Sequence, residues 1–218
     1  MIDAATRLAS VRDGIAAAAR TAGRDPDSVT LVAVSKTRSA GEVEELIAAG
    51  QKIFGESRVQ EAADKWSGLK AAHPDVTLHC IGRLQSNKAD EAVQLFDVIH
   101  SLDRASLLDA LVRAGERAGR YPAVYVQVNI GAEEQKGGVA LAELPAFLDQ
   151  VRASPLPLAG LMCIPPAGVE PSPYFALLAK LARRHDVTGL SMGMSGDYKA
   201  AVMLGATVVR VGTALFAD

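Results

Sequence analysis

The sequence is poor in cysteine, and its charges nearly cancel. Two cysteines in 218 residues make no disulfide framework. Cys80 and Cys163 each sit in an apolar, strand-like run, where a thiol acts as a small core residue. A formal net charge of −2 leaves no electrostatic footprint for nucleic acid or an anionic membrane surface. No apolar run approaches the roughly 18 positions needed to span a bilayer. The opening MIDAATRLASVRDG scatters charges among its apolar residues, so no signal peptide is expected. Neither a G-x-x-x-x-G-K-[ST] nor a G-x-G-x-x-G phosphate loop occurs, and His73, His79, His100 and His185 lack zinc-ligand spacing. No linker, repeat or low-complexity tract divides the chain. These absences lead us to expect one cytoplasmic domain over residues 1–218, with no metal, nucleic acid or membrane among its partners.

What is present is alternation. Short β-rich runs trade places with stretches whose apolar residues recur at helical spacing. Eight such runs stand out: VTLVAVSK, KIFGE, TLHCIG, DVIHSL, AVYVQVN, LAGLMCI, GLSMGM and TVVRVG. Leu8, Val11, Ile15 and Ala19 carry the first helical pattern, and Ala201 and Val202 the last. Alternation of this kind reads as βα units on a parallel sheet, and eight units predict a closed (β/α)8 TIM-type barrel. An open doubly wound sheet is the structural rival. The length is short for a barrel, which typically takes about 250 residues, so the loops must be compact.

In a barrel the chemistry lies at the carboxyl ends of the strands. Those ends read Lys36, Gly55-Glu56, Gly82-Arg83, His100-Ser101, Asn129, Ile164, Met194-Ser195 and Arg210-Gly212-Thr213. Lys36 closes the apolar run LVAVSKT. An amine that loses solvation is more readily neutral, and a neutral amine attacks aldehydes. The plain alternative is a lysine that snorkels to solvent and merely ends the strand. Near the seventh end, Ser195 and Gly196 precede a helical stretch, with Ser195 as the expected N-cap and the helix end as an anion site. At the eighth, Gly212 allows close backbone approach and Thr213 offers a hydroxyl. Helix capping and a tight turn would explain these singly. Together, on neighbouring strands, they predict a phosphate pocket beside Lys36.

The same residues carry a family likeness. In order, the chain shows AVSKT (33–37), FGESRVQE (54–61), HCIGRLQSNK (79–88), IHSLD (99–103), QVNIGAEEQKGG (127–138), GLMCIPP (160–166), LSMGMSGD (190–197) and VRVGTALF (209–216). It thereby resembles the pyridoxal 5′-phosphate (PLP) homeostasis proteins, small single-barrel proteins related to the N-terminal domain of alanine racemase. The resemblance implies that Lys36 holds PLP as an internal aldimine. It implies that Ser195, Gly212 and Thr213 contact the phosphate, that Met194 lines that end, and that Arg210 lies near the pyridine nitrogen. An arginine there keeps its proton and leaves the ring a poorer electron sink than an aspartate would; its bland alternative is a salt bridge inside the barrel. Two departures stand out. Ser57 replaces the family's usual asparagine, which puts any contact at that position in doubt, and Cys80 replaces an aromatic residue.

Other polar motifs read more plainly. Gln85 and Asn87 in GRLQSNK suit a helix start better than a loop over a ligand. Lys136 reads as a solvated loop charge and His79 as a core histidine. The function expected is a PLP-binding protein that buffers the cofactor or delivers it to PLP-dependent apoenzymes without robust turnover. The alternatives are a PLP-dependent amino-acid racemase with weak activity and a sugar-phosphate aldolase using Lys36. Related racemases draw a second acid/base from an added β-domain; with the sequence ending at Asp218, no such domain is expected here. Without that domain's dimerising surface, a monomer is expected.

Overall fold

The computed structural model describes residues 2–133 and 137–216. Eight parallel strands close into a barrel in sequence order: β1 (Thr30–Val34), β2 (Ile53–Glu56), β3 (Thr77–Cys80), β4 (Val98–Leu102), β5 (Ala123–Gln127), β6 (Leu158–Met162), β7 (Leu190–Ser191) and β8 (Val208–Val211). Each expected run contains one of these strands. The open-sheet rival fails on one pairing. Thr30 lies opposite Val208 and Val32 opposite Arg210, so the first and last strands join.

Helices follow the first seven strands: α2 (Ala40–Ala48), α3 (Val59–Ala72), α4 (Ala89–Leu95), α5 (Ala105–Ala118), α6 (Leu144–Arg152), α7 (Ser172–Arg184) and α8 (Tyr198–Met203). The remaining helix, α1 (Ala4–Thr21), precedes β1 and packs against both α8 and α2. It thus fills the ring position that a helix after β8 would take. Asp3 starts it by accepting the Thr6 N–H at 2.7 Å, the usual work of an N-cap carboxylate. Leu8, Val11, Ile15 and Ala19 are its buried face, as their spacing predicts. Economy shows at the other end, where β7 has two residues and α8 six. No helix among the described residues is long and apolar enough to cross a membrane.

Strand alternation divides the core in two. Outward residues such as Phe54, Leu78, Ile99, Leu161 and Val209 join Trp66, Phe96 and Phe175 in one large cluster between sheet and helices. Inward Val32, Tyr125, Met162 and Val208 form a smaller one inside the barrel. Cys80 and Cys163 are buried and unpaired, and burial pushes each thiol up to about 12. They are therefore unreactive core groups.

Candidate functional site

A cavity of about 800 Å³ opens at the carboxyl ends of the strands, and its lining includes Lys36, Met194, Ser195, Arg210, Gly212 and Thr213. That volume suits a small molecule. Alternation explains how Lys36 reaches it. Val32 faces the barrel interior and Val34 lines the cavity, so Lys36, two residues further on, continues the same face. The expected loss of solvation does not hold, because the barrel mouth is open and Lys36 is exposed.

Several of the other strand ends converge on this cavity. Gly82, Arg83, Asn129 and Ile164 line it, joined by Arg38, Ser57, Ile81 and Gln127. Lysine and arginine supply all the charge of the lining, with no carboxylate among the described lining residues. A slightly acidic chain therefore presents a cationic mouth, which attracts anions. Gly82 is required by contact, since a Cβ there would lie 2.1 Å from the Ser57 carbonyl oxygen.

The β7 and β8 ends form the polar wall. Ser195 is not the N-cap of α8. That place belongs to Asp197, whose Oδ1 accepts the Met194 N–H at 2.6 Å. The reason is the chain's path: Gly193 turns at φ 93°, and four residues, Met194 to Asp197, pass before α8 begins at Tyr198. Ser195 Oγ accepts the Gly212 N–H at 3.2 Å and clips the two loops together. Its own O–H remains free to donate. The amides of Ser195, Gly196 and Thr213 donate to no acceptor among the described residues. The anion-binding capacity of this wall thus comes from loop N–H groups and a hydroxyl, not from the short helix.

Arg210 forms part of the floor and is almost fully buried. It has no ion-pair partner among the described residues, so the salt-bridge alternative fails. Instead its Nη1 donates to Ser191 Oγ at 2.5 Å and its Nη2 to the Cys163 carbonyl at 3.0 Å. Burial pushes the guanidinium pKa down from its ordinary value. Below lies a relay absent from the sequence reading. Ser191 Oγ is 2.8 Å from His100 Nδ1, and His100 Nε2 is 3.0 Å from His79 Nδ1. Arginine can only donate. If Ser191 then turns its single proton to His100 Nδ1, each contact along the relay has one donor and one acceptor. In that arrangement His100 carries its proton on Nε2 and donates to His79 Nδ1. Tyr125 stacks on His100 with ring centroids 4.5 Å apart. Burial holds both imidazoles neutral, with His79 pushed down to about 4.

Some expected residues lie elsewhere. Glu56 is buried on the outer side of β2, where its Oε1 accepts from Ser35 Oγ, Lys65 Nζ and Trp66 Nε1. Ser101 is buried and outside the lining. Gln85 and Asn87 belong to a helix start, with a 3-10 turn at Ser86–Lys88 leading into α4. Gln85 makes no side-chain cap bond. His79 is a buried histidine as expected, though partnered. Lys136 falls outside the described residues. The bond-forming capacity of Glu56, Lys65 and Glu61 escaped sequence reading, although Glu61 and Lys65 stand at i, i+4 spacing on one helix.

Comparison with known proteins adds to this geometry. The family model described as the alanine racemase N-terminal domain matches residues 7–218. The pyridoxal phosphate homeostasis protein of Escherichia coli K12 is 40% identical, across 99% of this chain and 97% of its own. The structure of PipY from Synechococcus elongatus with PLP bound superposes with a TM-score of 0.85 and 41% identity, covering 98% of this chain and 100% of that one. A Clostridium difficile alanine racemase shares the fold alone, with TM-score 0.70 and 13% identity over 94% of this chain and 55% of its own. A polar wall facing a strand-end lysine, within a barrel matched along nearly its whole length, places the chain: it belongs to the family of pyridoxal phosphate homeostasis proteins.

Proposed function

We propose that this chain holds pyridoxal 5′-phosphate reversibly, attached to Lys36, and so buffers or delivers the cofactor. One observation carries the reading: a single cavity brings the Lys36 amine together with the free donors of Ser195, Gly196 and Thr213. The residues present fit the cofactor. A lining whose charges are all cationic suits a phosphate, and Ile81, Ile164 and Met194 give apolar wall to a ring. When bound, pyridoxal 5′-phosphate supplies an aldehyde that condenses with a primary amine and releases one water. Lys36 offers that amine. Ser195, Gly212 and Thr213 hold the phosphate end, with Met194 beside them. Arg210 has five N–H protons and uses two on Ser191 and Cys163, leaving donors for the ring nitrogen. Because Arg210 keeps its own proton, it would leave a ring nitrogen beside it unprotonated.

Binding is favoured over racemisation by the acid-base character of the lining. Two-base proton transfer needs a second titrating group across the ligand. Among the described lining residues Lys36 is joined by arginines, with no histidine, tyrosine or carboxylate. Tyr125 stacks on the buried His100 beneath them. The reading extends to a monomeric, cytoplasmic, one-domain protein that yields its cofactor to PLP-dependent apoenzymes. The test is spectroscopic. Protein mixed with pyridoxal 5′-phosphate should gain a visible absorbance band, and borohydride should fix the label on the peptide containing Lys36. A label on another peptide, or no band, overturns the proposal.

A further inference from the structure

The turn that carries Lys36 is gripped from outside the barrel. The Arg38 N–H donates to the Ser35 carbonyl at 3.1 Å, closing a β-turn with Lys36 second and Thr37 third. Thr37 has φ 63°. A type II turn demands that sign at its third position, and glycine or asparagine normally supplies it. A β-branched residue adopts it rarely, so the surroundings must impose it.

Helix α3 supplies the constraint. The Glu61 carboxylate accepts the Thr37 N–H. One turn further along, Lys65 Nζ donates to the Ser35 carbonyl at 2.7 Å, Glu56 Oε1 at 3.0 Å and Glu61 Oε1 at 3.4 Å. Those three acceptors match the three protons of an ammonium. Glu56 also accepts the Ser35 hydroxyl at 2.7 Å. The residues on both sides of Lys36 are therefore tied to one carboxylate–ammonium–carboxylate bridge. Lys65 is mostly buried and Glu56 fully so, which shields the bridge from solvent screening. Lys36 itself shares no bond with it.

The geometry points to Glu56, Lys65 and Glu61 as positioning residues that hold the strained turn so that the Lys36 amine is presented to the cavity. This rests on the reading of Lys36 as the point of attachment. A bridge serving stability alone would have no reason to seize the backbone on both flanks of one residue. If the turn relaxes, the competent orientation becomes one of several, and apparent affinity falls by its remaining fraction. The phosphate wall, across β7 and β8, shares none of these contacts. Covalent capture should therefore weaken while phosphate recognition persists.

Glu61→Ala in the full chain tests this, because Glu61 is half-buried and its loss leaves the Lys65–Glu56 contact in place. Two probes separate the effects: pyridoxal 5′-phosphate, followed by absorbance, and pyridoxine 5′-phosphate, which bears an alcohol in place of the aldehyde, followed by calorimetry. The variant should capture the aldehyde about tenfold more weakly and bind the alcohol within about twofold of wild type. Glu61→Gln, which keeps an oxygen for the Thr37 N–H, should recover most of the loss. Thr37→Gly removes the strain, so adding Glu61→Ala to it should cost less than in the wild type. Wild-type capture by Glu61→Ala, an equal loss for both probes, or no recovery with glutamine overturns the assignment. If Glu61→Ala does not fold, the Thr37→Gly pair decides alone, and an undiminished penalty there overturns it. Failure of the wild type to attach at Lys36 would instead overturn the functional reading, before any variant is made.

Discussion

Lys36→Ala should abolish borohydride-fixed label entirely while changing the unfolding free energy by less than about 0.5 kcal/mol. The two halves of this expectation have separate causes. Attachment needs a primary amine, and the cavity has no other among the described lining residues. Stability needs contacts, and the Lys36 side chain is exposed and makes no hydrogen bond or ion pair among the described residues, while its carbonyl, which accepts from the Thr37 hydroxyl, survives in alanine. Its turn is held instead by Ser35, Thr37 and Arg38, through backbone groups that alanine retains. The variant should still bind pyridoxal 5′-phosphate loosely, since the donors of Ser195, Gly196 and Thr213 are untouched. Urea unfolding and peptide mapping check the two halves. A variant that unfolds would make Lys36 a structural residue, and a variant that labels as well as wild type would move the attachment site.

The barrel could be read from the sequence because two periodicities alternate along it, and each strand's outer face must meet a helix. Lys36 was legible for a related reason: in LVAVSKT it shares parity with two valines of the barrel interior. The same rule places Glu56 outside. With Phe54 outward, Gly55 turns inward and Glu56 outward again, so its position at a strand end says little about the cavity. The histidine pair was less accessible, because it depends on register between strands. His79 pairs with Val98, which brings His100 alongside, and register is a property of closure rather than of either strand alone. The Ser195 misplacement is a matter of boundaries. A serine followed by glycine suits a helix start, but Gly193 redirects the chain, the Asp197 carboxylate turns back to accept the Met194 N–H, and α8 begins with no side-chain cap bond. The Lys65 bridge needed both parity and register, and so became visible only in three dimensions.

The histidine relay beneath Arg210 should make the protein acid-sensitive well above the range where ordinary carboxylates protonate. In the unfolded chain an imidazole titrates near 6.5, whereas in the folded protein burial pushes His79 down to about 4, against the opposing pull of Asp97. Between these values the unfolded state binds more protons, so stability falls as pH falls. The contribution is lost from about 6.5 downward and is exhausted near 4. Going from about pH 7.5 to about pH 5 should cost about 2 kcal/mol of unfolding free energy through His79 alone. His100 acts in the same direction, held down by burial, by His79 and by Arg210. His79→Gln offers His100 Nε2–H an oxygen that does not titrate. The variant should therefore lose about 2 kcal/mol less than wild type over that interval, whatever its starting stability. Parallel pH profiles for the two proteins would show that the acid sensitivity arises elsewhere. The consequence for the cavity follows from the bond directions. A proton on His100 Nδ1 would reverse its bond to Ser191, with Ser191 Oγ then accepting from both His100 and Arg210 on its two lone pairs. In the folded protein His79 stays neutral until about 4, so the cavity floor keeps these bonds over the interval in which stability falls, and wild-type affinity for pyridoxine 5′-phosphate should track that of His79→Gln throughout it.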